Sequence, residues 1–284
     1  MPSGWRVLKE SVQGASHIRV GKPNQDAIES SQKTNGVLPI ILAVSDGHGS
    51  SKCFRSEIGS KLAVDCAISV SDEFLQNAAQ LNLSHIRDSA QRLLTVDILQ
   101  KWARAVEDHL TTHPFTDSEL ETLSNEVDPS AVAAVKENGG LLAYGATLLL
   151  VIVATKFIMY LQLGDGDIVA VNSDGVAERV LEEDSSLIAN ETTSLCQKNA
   201  AKKFRFRFQE ALQNLPPKLI LASTDGYFNS FSSEAGFLQV GVDLLKIASA
   251  DGLEKITTEL EGWLAQASSE GSGDDVSLGL IIQA

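Results

Sequence analysis

Cysteine is scarce in this sequence, and the few thiols are scattered. The 284 residues include three cysteines, Cys53, Cys66 and Cys196, and no two of them form a C-x-x-C pair. So few scattered thiols exclude a disulfide framework and favour thiols that are buried or incidental. The five histidines do not pair at ligand spacing on an obvious face, so the sequence predicts no zinc site.

The chain also lacks a long uninterrupted hydrophobic run. Its most apolar stretch, residues 141–163, is broken by five glycine or polar positions: Gly145, Thr147, Thr155, Lys156 and Gln162. Such a segment is a poor membrane span. The first ten residues, MPSGWRVLKE, contain no apolar segment of signal-peptide length, so we expect a cytoplasmic protein.

Basic residues are in the minority. The 23 lysines and arginines face 37 aspartates and glutamates, which gives a formal charge of −14. Such a chain repels phosphate polyanions on average, which argues against binding of nucleic acid or an anionic membrane. The same acidity permits a cluster of carboxylates that holds metal. Because 43% of the residues are apolar, the chain can bury a core, and its length suits one large domain or two small ones.

Hydrophobic patterning predicts strands interspersed with helices. Short apolar runs predict strands at 5–12, 37–44, 147–154, 157–163, 168–171, 219–223 and 276–282. Apolar residues at four-residue steps from Phe54 to Val70 predict one helix. Further helices are predicted at 84–110, with Ser84 as the N-cap, and at 241–267. Hairpins rather than regular crossovers join the strands, which favours an α+β fold of antiparallel sheets covered by helices.

Three predicted strands end in an aspartate that is followed by glycine. These aspartates are Asp46, Asp165 and Asp225, and a fourth acidic pair, Asp274 and Asp275, directly precedes the last strand. Each motif by itself is typical of a satisfied Asx turn. If the four meet, their carboxylates repel one another unless they are protonated or bound to metal. Mg²⁺ or Mn²⁺, which prefer oxygen ligands, relieve that repulsion.

Six short motifs follow one another along the chain. They are Ser16-His17 with Gly21, Pro23, Gln25 and Asp26, then residues 45–49 (SDGHG), 144–148 (YGATL), 163–167 (LGDGD), 222–226 (ASTDG) and 273–277 (GDDVS). Each motif alone is unspecific, but the ordered set resembles the metal-dependent protein phosphatases of type 2C, the PPM family. The early motif is similar to the S-H-x-x-x-G-x-P-x-Q-D of the bacterial branch. The resemblance spans almost the whole chain.

This resemblance implies both a fold and an activity. The implied fold is a four-layer α-β-β-α sandwich of two antiparallel sheets flanked by helices, with residues 1–284 forming a single phosphatase domain. The implied activity is hydrolysis of phosphoserine and phosphothreonine in proteins by water that two Mn²⁺ or Mg²⁺ ions activate, with a third, weaker ion in bacterial relatives. We therefore expect a phosphorylated protein as the partner, no nucleic acid or membrane, and a monomer.

The resemblance also implies the metal ligands. Asp46 would bridge the two ions, and the carbonyl of Gly47 would bind one of them. Asp225 and Asp274 would complete the shell of the other ion. Asp26 would adjoin the site, acting through water or as an outer neighbour.

Two more residues have roles by resemblance. Asp165 matches the residue linked to the third ion. His48 matches a general acid that protonates the departing serine or threonine oxygen. The alternative role for His48 is a structural one, as a histidine that is hydrogen-bonded in a polar turn. Asp275 stands where many relatives have asparagine. The sequence contains no P-loop, C-x₅-R or G-x-S-x-G motif, which agrees with hydrolysis by water rather than by a nucleophilic side chain.

Two positions depart from the family pattern. Gln25 replaces a glutamate that many members carry, which removes one formal charge from the metal shell. Gly21 occupies the usual position of a phosphate-binding arginine, and Arg19 is our candidate substitute, with Arg6 and Lys22 as alternatives. Because this arginine is missing, a second hypothesis remains: the protein is a catalytically weak relative that binds phosphoprotein or metal as a regulatory module. A hydrolase of small phosphoesters is the third alternative.

Basic and aromatic residues alternate between positions 203 and 208, in the order KFRFRF. Such alternation can indicate stacking on nucleic acid. A strand with its phenylalanines in the core and its charges in water is the simpler interpretation. The region 176–209 falls where relatives carry a variable flap beside the active site, so we expect substrate selection there.

Overall fold

The computed structural model describes residues 4–34, 36–137, 139–182, 193–211 and 216–283, and these residues form ten strands. In chain order they are β1 (Trp5–Val12), β2 (Ala27–Ser31), β3 (Ile40–Ser45), β4 (Leu148–Val153), β5 (Phe157–Leu163), β6 (Asp167–Val171), β7 (Ala177–Arg179), β8 (Arg205–Glu210), β9 (Leu219–Ser223) and β10 (Val276–Gln283). The predicted strands are thereby confirmed to within three residues at their ends.

The helices of the described residues follow the same order. They are α1 (Ala15–Val20), α2 (Ser56–Ala78), α3 (Leu83–Ser89), α4 (Thr95–Thr112), α5 (Asp117–Glu126), α6 (Pro129–Glu137), α7 (Ala200–Lys203), α8 (Asp225–Phe228), α9 (Glu234–Ala250) and α10 (Leu253–Glu270). Short 3₁₀ turns cover Ser51–Cys53 and Leu141–Tyr144. None of the helices in the described ranges is long and apolar enough to cross a bilayer.

The strands form two antiparallel five-stranded sheets. One sheet has the order β1-β10-β9-β6-β7, and the other has the order β2-β3-β4-β5-β8. Ser223, at the end of β9, pairs with Leu278 near the start of β10 and with Asp167 at the start of β6. Ser45, at the end of β3, pairs with Ala27 at the start of β2. This register brings the aspartate-bearing turns to one end of the two sheets.

Helices cover the outer face of each sheet. Helix α2 packs on β2, β3 and β4, whereas α9 packs on β6, β7 and β9 and α10 packs on β1 and β10. The layers therefore follow the expected α-β-β-α order.

The continuous apolar runs are explained by burial on both faces of each sheet. In β3, Leu42 and Val44 point between the sheets, and Ile41 and Ala43 point towards the α2 side. In β9, Ile220 likewise lies between the sheets, while its neighbours pack under α9 and α10. A strand that is buried on both faces needs apolar residues at every position, so its sequence does not alternate.

The predicted helix 241–267 is wrong in its extent, because the structure has two helices there. Helix α9 begins after the cap Ser233, whose Oγ accepts the N–H of Gly236 at 3.2 Å. Gly252, between α9 and α10, has φ of +85°, a conformation that ends a helix and that only glycine adopts without strain. Both helices pack on the same sheet, which is why the apolar periodicity continues across the break.

The predicted helix 84–110 is also interrupted. Its N-cap is Asn82 rather than Ser84, since Asn82 Oδ1 accepts the N–H of His85 at 2.9 Å. A π-helical segment, Ala90–Leu94, separates α3 from α4. The wider turn shifts the apolar face, so Leu93, which was predicted on that face, is 54% exposed.

Strand β3 starts three residues later than predicted, at Ile40. The preceding Pro39 has no N–H to donate to a neighbouring strand, and Val37 is exposed. The run VLP is therefore the approach to the strand rather than part of it.

The alternating basic and aromatic segment forms the edge strand β8. Phe206 and Phe208 pack against the core on the α2 side, as predicted. The arginines are only partly in water, because Arg205 donates to the carbonyl of Gly164 at 3.1 Å and Arg207 donates to that of Val180 at 2.8 Å. Of the expected flap region 176–209, residues 183–192 lie outside the described residues.

A buried arginine ties the helical layer to the end of the sheets that carries the aspartates. Arg55 forms two hydrogen bonds with the carboxylate of Glu119, at 2.7 and 2.8 Å. It also donates to the carbonyls of His113 and Pro114 and to the hydroxyl of Tyr144 at 2.8 Å. These bonds join α5 and the end of α4 to the start of α2 and to the turn that precedes Gly145.

We expect Glu119→Gln to destabilise the protein by about 2 kcal/mol at neutral pH. The hydrogen bonds from Arg55 lower the pKa of Glu119 to about 2, from an ordinary value of 4.5. A lowered carboxyl pKa stabilises the folded state above the unfolded value, and this stabilisation disappears as the pH falls from 4.5 through about 2. Urea unfolding across this range should therefore show the variant and the wild type converging in acid.

The matched control is Glu121→Gln, since Glu121 is exposed on the same helix. Its unfolding free energy should follow that of the wild type at every pH. A constant difference between Glu119→Gln and the wild type at all pH values would contradict the role assigned to the Arg55 pair.

Candidate metal centre

The Asp46 turn is fixed by backbone contacts with the start of β4. The N–H of Asp46 donates to Thr147 Oγ1 at 2.9 Å, and the N–H of Thr147 donates to the carbonyl of Asp46 at 2.8 Å. A Cβ on Gly47 would lie 2.5 Å from the carbonyl oxygen of Gln25, so only glycine fits. The turn therefore holds the Asp46 side chain and the Gly47 carbonyl in one rigid segment.

Asp225 begins α8, directly after β9. Thr224 Oγ1 donates to Asp26 Oδ2 at 2.7 Å and accepts the N–H of Ser277 at 3.0 Å. This threonine links the segments that carry Asp26, Asp225 and the acidic pair before β10. A Cβ on Gly226 would lie 2.1 Å from the carbonyl oxygen of Asp275, so a side chain there would push the two segments apart.

Asp165 occupies the tight turn between β5 and β6, which passes from one sheet to the other. Its side chain is exposed, whereas the flanking glycines are buried. Gly164 has φ of +110° and donates its N–H to Thr193 Oγ1 at 2.8 Å. The turn therefore brings an accessible carboxylate to the end of the sandwich where β3 and β9 also end.

Three of the predicted metal residues converge at the end of the sandwich where β3 and β9 end. Asp46, Asp165 and Asp225 each place a carboxylate oxygen within 4.8 Å of the others, and Asp26 is buried next to them. Burial raises the pKa of Asp26 and of Asp46 well above the usual value, and neighbouring carboxylates raise it further. Burial, and then the charge of Asp165, raises the pKa of Asp225 to about 6.

The donor set fits divalent cations with oxygen preference. Among the described residues, no salt bridge joins Asp26, Asp46, Asp165 or Asp225 to a basic side chain. Carboxylates that lie close together without a cationic partner repel one another, and burial together with this repulsion raises the pKa values of Asp26, Asp46 and Asp225. Mg²⁺ and Mn²⁺ supply the missing positive charge to ligands of this kind.

Asp274 lies in a second group, with His17 and Asp275. His17 Nε2 is 3.6 Å from Asp274 Oδ1, and the Asp274 side chain is about half exposed. The charge of Asp274 acts on Asp225. Asp274 is therefore at the border of the first group, not among the three carboxylates whose oxygens meet.

Asp275 connects three segments from a buried position. Its carboxylate accepts the N–H of Gly14 at 2.6 Å and the N–H of Gln25 at 2.7 Å, and it lies 2.9 Å from His17 Nδ1. Because Gln25 precedes Asp26, these bonds also fix the approach to the first group. The sequence alone assigned no role to Asp275, because binding of backbone N–H groups has no signature in a single sequence.

We expect Asp275→Ala to reduce the free energy of unfolding by about 3 kcal/mol, because it leaves two N–H groups and a histidine without their acceptor. Denaturant unfolding in EDTA measures this loss without any contribution from metal. Asp274→Ala is the neighbouring control, and we expect it to change stability by less than about 1 kcal/mol because its side chain is half exposed. Equal losses in the two variants would contradict the difference in their contacts.

His48 follows the Asp46-Gly47 turn and stays close to Gly145. Its N–H donates to the carbonyl of Gly145 at 3.0 Å, and a Cβ on Gly145 would lie 2.9 Å from His48 Cδ2. Burial lowers the pKa of His48, and the charge of Asp165 opposes that shift. The imidazole is thus partly shielded from water and within the field of one of the three converging carboxylates.

The three candidate side chains for phosphate binding lie in different parts of the fold. Arg19 is exposed on α1, and no hydrogen bond or ion pair among the described residues joins it to the carboxylates. Arg6 lies on β1 beside Gly36. Lys22 lines a cavity together with Gln25 and the residues that follow His48.

Sequence reasoning missed the threonines that position the aspartates. Thr147 binds the backbone of Asp46, and Thr224 binds the carboxylate of Asp26. Both threonines lie inside the recognised motifs, next to a strand end. For Thr224 the signal was a hydroxyl next to the strand-end Asp225, whereas Thr147 is 101 positions from Asp46 and had no local signal.

Comparisons with known proteins agree with this geometry. A family model described as protein phosphatase 2C matches residues 13–265. A solved bacterial serine phosphatase is similar at a TM-score of 0.61, with 15% identity over 98% of both chains. The PstP catalytic domain with two manganese ions is similar at 0.58, with 14% identity over 98% of both chains. For Stp1 from Staphylococcus aureus the TM-score is 0.57, with 14% identity over 100% of this chain and 96% of the other.

No curated protein sequence matches the chain. At 14–15% identity the solved structures establish the fold, and they bear out its two antiparallel sheets flanked by helices. The family model covers most of the sequence, including the motifs that carry Asp26, Asp46, Asp165 and Asp225. The chain belongs to the protein phosphatase 2C family.

Proposed function

We propose that this protein is a metal-dependent protein serine/threonine phosphatase that hydrolyses phosphoserine and phosphothreonine. The observation that carries the proposal is the convergence of Asp46, Asp165 and Asp225 at one end of the sandwich, in a chain of this family. The similar structure of PstP contains two manganese ions, which supports Mn²⁺ as the cofactor, and Mg²⁺ accepts the same oxygen ligands.

The rigid Asp46 turn supplies the central ligands. Asp46, whose carboxylate lies next to those of Asp165 and Asp225, would hold the ions together with the Gly47 carbonyl of the same turn. Asp274 would add a ligand from the border of the group. Bound cations of this kind lower the pKa of water and neutralise phosphoryl oxygens, which is the chemistry that phosphomonoester hydrolysis requires.

The remaining residues orient the site and the substrate. Asp26, held by Thr224, acts as a buried outer acceptor. Asp165, which is exposed, would hold the third, weaker ion. His48 would hold a proton for the departing serine or threonine oxygen. Arg19 and Lys22 are the candidate cations that would attract the phosphate.

The test is a Mn²⁺-supplemented assay with a phosphothreonine peptide and p-nitrophenyl phosphate in parallel. A protein phosphatase releases phosphate from both substrates, and EDTA abolishes the release. A small-phosphoester hydrolase would act on p-nitrophenyl phosphate alone. A regulatory module would bind the phosphopeptide and release phosphate from neither.

A further inference from the structure

A cavity of about 350 Å³ adjoins the turn that carries Asp46 and His48. Its walls come from the segment 49–51 that follows His48, from the start of α2 and from α5. Gln25, which precedes the metal residue Asp26, also lines it. The cavity thus lies beside the segments that carry the proposed reaction centre, and its volume lies at the lower end of the roughly 300–1,000 Å³ that is usual for ligand sites.

The charged groups of the cavity are mostly acidic. Glu57, Glu119 and Glu126 line it against a single cation, Lys22. The Glu119 charge is neutralised by its two hydrogen bonds from Arg55. Among the described residues, no basic side chain forms a salt bridge with Glu57 or Glu126. Two carboxylates are therefore available to a positively charged ligand.

Independently of these carboxylates, a buried oxygen in the cavity wall lacks a hydrogen-bond donor. Gln25 is only 8% exposed, and its Nε2 donates to Ser56 Oγ at 2.6 Å. Its Oε1 is buried and receives no hydrogen bond from the described residues. The oxygen lies 3.6 Å from the position of a Cβ on Gly49, another residue of the cavity wall. Since a buried acceptor without a donor is destabilising, a ligand that carries N–H groups would relieve it.

The cavity also has an apolar part. Phe54, Pro23 and the buried Leu123 line it beside the carboxylates. Apolar walls with acidic groups suit a side chain that has an aliphatic stem and a cationic, donor-rich head, which describes arginine and lysine.

We propose that this cavity binds an arginine or lysine side chain adjacent to the phosphorylated residue of the substrate, with Glu57 and Glu126 as the specificity-determining residues. The proposal rests on the proposed phosphatase function. It names a substrate class: phosphoserine or phosphothreonine in basic sequence surroundings. The acidic cavity thereby complements a protein whose own charge of −14 already favours basic partners.

The experiment compares phosphothreonine peptides that are identical except for one residue, which is arginine, alanine or glutamate at each neighbouring position in turn. With Mn²⁺ present, the wild type should show kcat/KM about fivefold to tenfold higher for one arginine peptide than for its alanine counterpart. In the double variant Glu57→Gln/Glu126→Gln that preference should disappear, mainly through KM. Hydrolysis of p-nitrophenyl phosphate, which has no neighbouring residue, should be unchanged.

Glu121→Gln is the matched control, since Glu121 is exposed on α5 and is not part of the cavity wall. It should keep the arginine preference. Glu126→Lys should reverse the preference in favour of glutamate at the same position. Hydrolysis of all peptides at equal rates by the wild type would overturn the cavity assignment while leaving the phosphatase assignment intact.

Binding is measured separately by fluorescence anisotropy with labelled peptides in EDTA. Tighter binding of the arginine peptide by the wild type, lost in the double variant, supports the cavity assignment even when phosphate release fails in the Mn²⁺ assay. Failure of that release would overturn the proposed function alone. Equal binding of arginine, alanine and glutamate peptides would overturn the cavity assignment.

Discussion

Asp46→Asn is expected to abolish Mn²⁺-dependent phosphate release and, in EDTA, to make the protein more stable. Both effects have one cause. Burial raises the pKa of Asp46 well above its usual value, and the charges of Asp26 and Asp225 raise it further. The neutral amide removes a charge that destabilises the metal-free fold, so we expect a gain of about 1–2 kcal/mol.

The loss of activity follows from the same position. With Asp46 neutral, the cluster would lose the carboxylate that we propose two ions share, and an amide oxygen is a weaker ligand for a divalent cation than a carboxylate. We expect activity to fall to the background of the assay. The melting temperature of the wild type should rise with Mn²⁺ concentration because binding to the native state stabilises it, and that rise should be absent from the variant.

Asp174→Asn provides the control, because Asp174 is an exposed aspartate in the turn between β6 and β7. It should keep both the activity and the Mn²⁺-dependent rise in melting temperature. An Asp46→Asn protein that still melts at a higher temperature with added Mn²⁺ would remove Asp46 from the ligand set. A variant that is less stable than the wild type in EDTA would refute the repulsion argument.

Local patterns in the sequence were sufficient to predict the strand-end aspartates and antiparallel sheets covered by helices, whereas the sandwich of two sheets was implied by the family resemblance. A strand that is buried on both faces leaves an uninterrupted apolar run, and the following Asp-Gly pair marks its end, as in Ile40–Ser45 followed by Asp46-Gly47. Such patterns involve residues that are neighbours in the chain, so they can be recognised in a single sequence. The same reasoning predicted one helix over 241–267, because periodicity reports which face is buried and gives little indication of a two-residue break at Asp251 and Gly252.

Interactions between distant residues were not predictable in this way. Arg55 and Glu119 are 64 positions apart, and Gly14 and Asp275 are 261 apart. No composition or period indicates such pairs, because each depends on how complete elements pack. Asp274 and Asp275 are adjacent in sequence, yet one is half exposed and the other is buried under three contacts. Which of two neighbouring carboxylates binds backbone N–H groups is decided by the direction in which each side chain leaves the chain.

His48→Ala is expected to separate two substrates that differ in their leaving group. Serine and threonine alkoxides are poor leaving groups and need a proton as the P–O bond breaks, whereas p-nitrophenolate departs without one. Removal of a general acid should therefore reduce kcat for a phosphothreonine peptide by about 10²–10⁴-fold. The rate for p-nitrophenyl phosphate should be largely retained.

The position of His48 supports the acid role. Its backbone is held by Gly145 next to the Asp46 turn. Burial lowers the pKa of His48, and the charge of Asp165 opposes that shift only in part, so a proton donated by His48 would leave readily. Protonated imidazole is the form that can donate. An exposed histidine on α3, His85, provides the control, and His85→Ala should leave both rates unchanged.

The ratio of the two rates distinguishes chemistry from structure. A histidine that only fills the polar turn would, when removed, disturb the Asp46 segment and slow both substrates by the same factor, because both depend on the same metal ligands. A general acid changes only the substrate whose leaving oxygen needs a proton. Equal losses on the phosphopeptide and on p-nitrophenyl phosphate would therefore assign His48 to the turn and leave the leaving oxygen to be protonated by water.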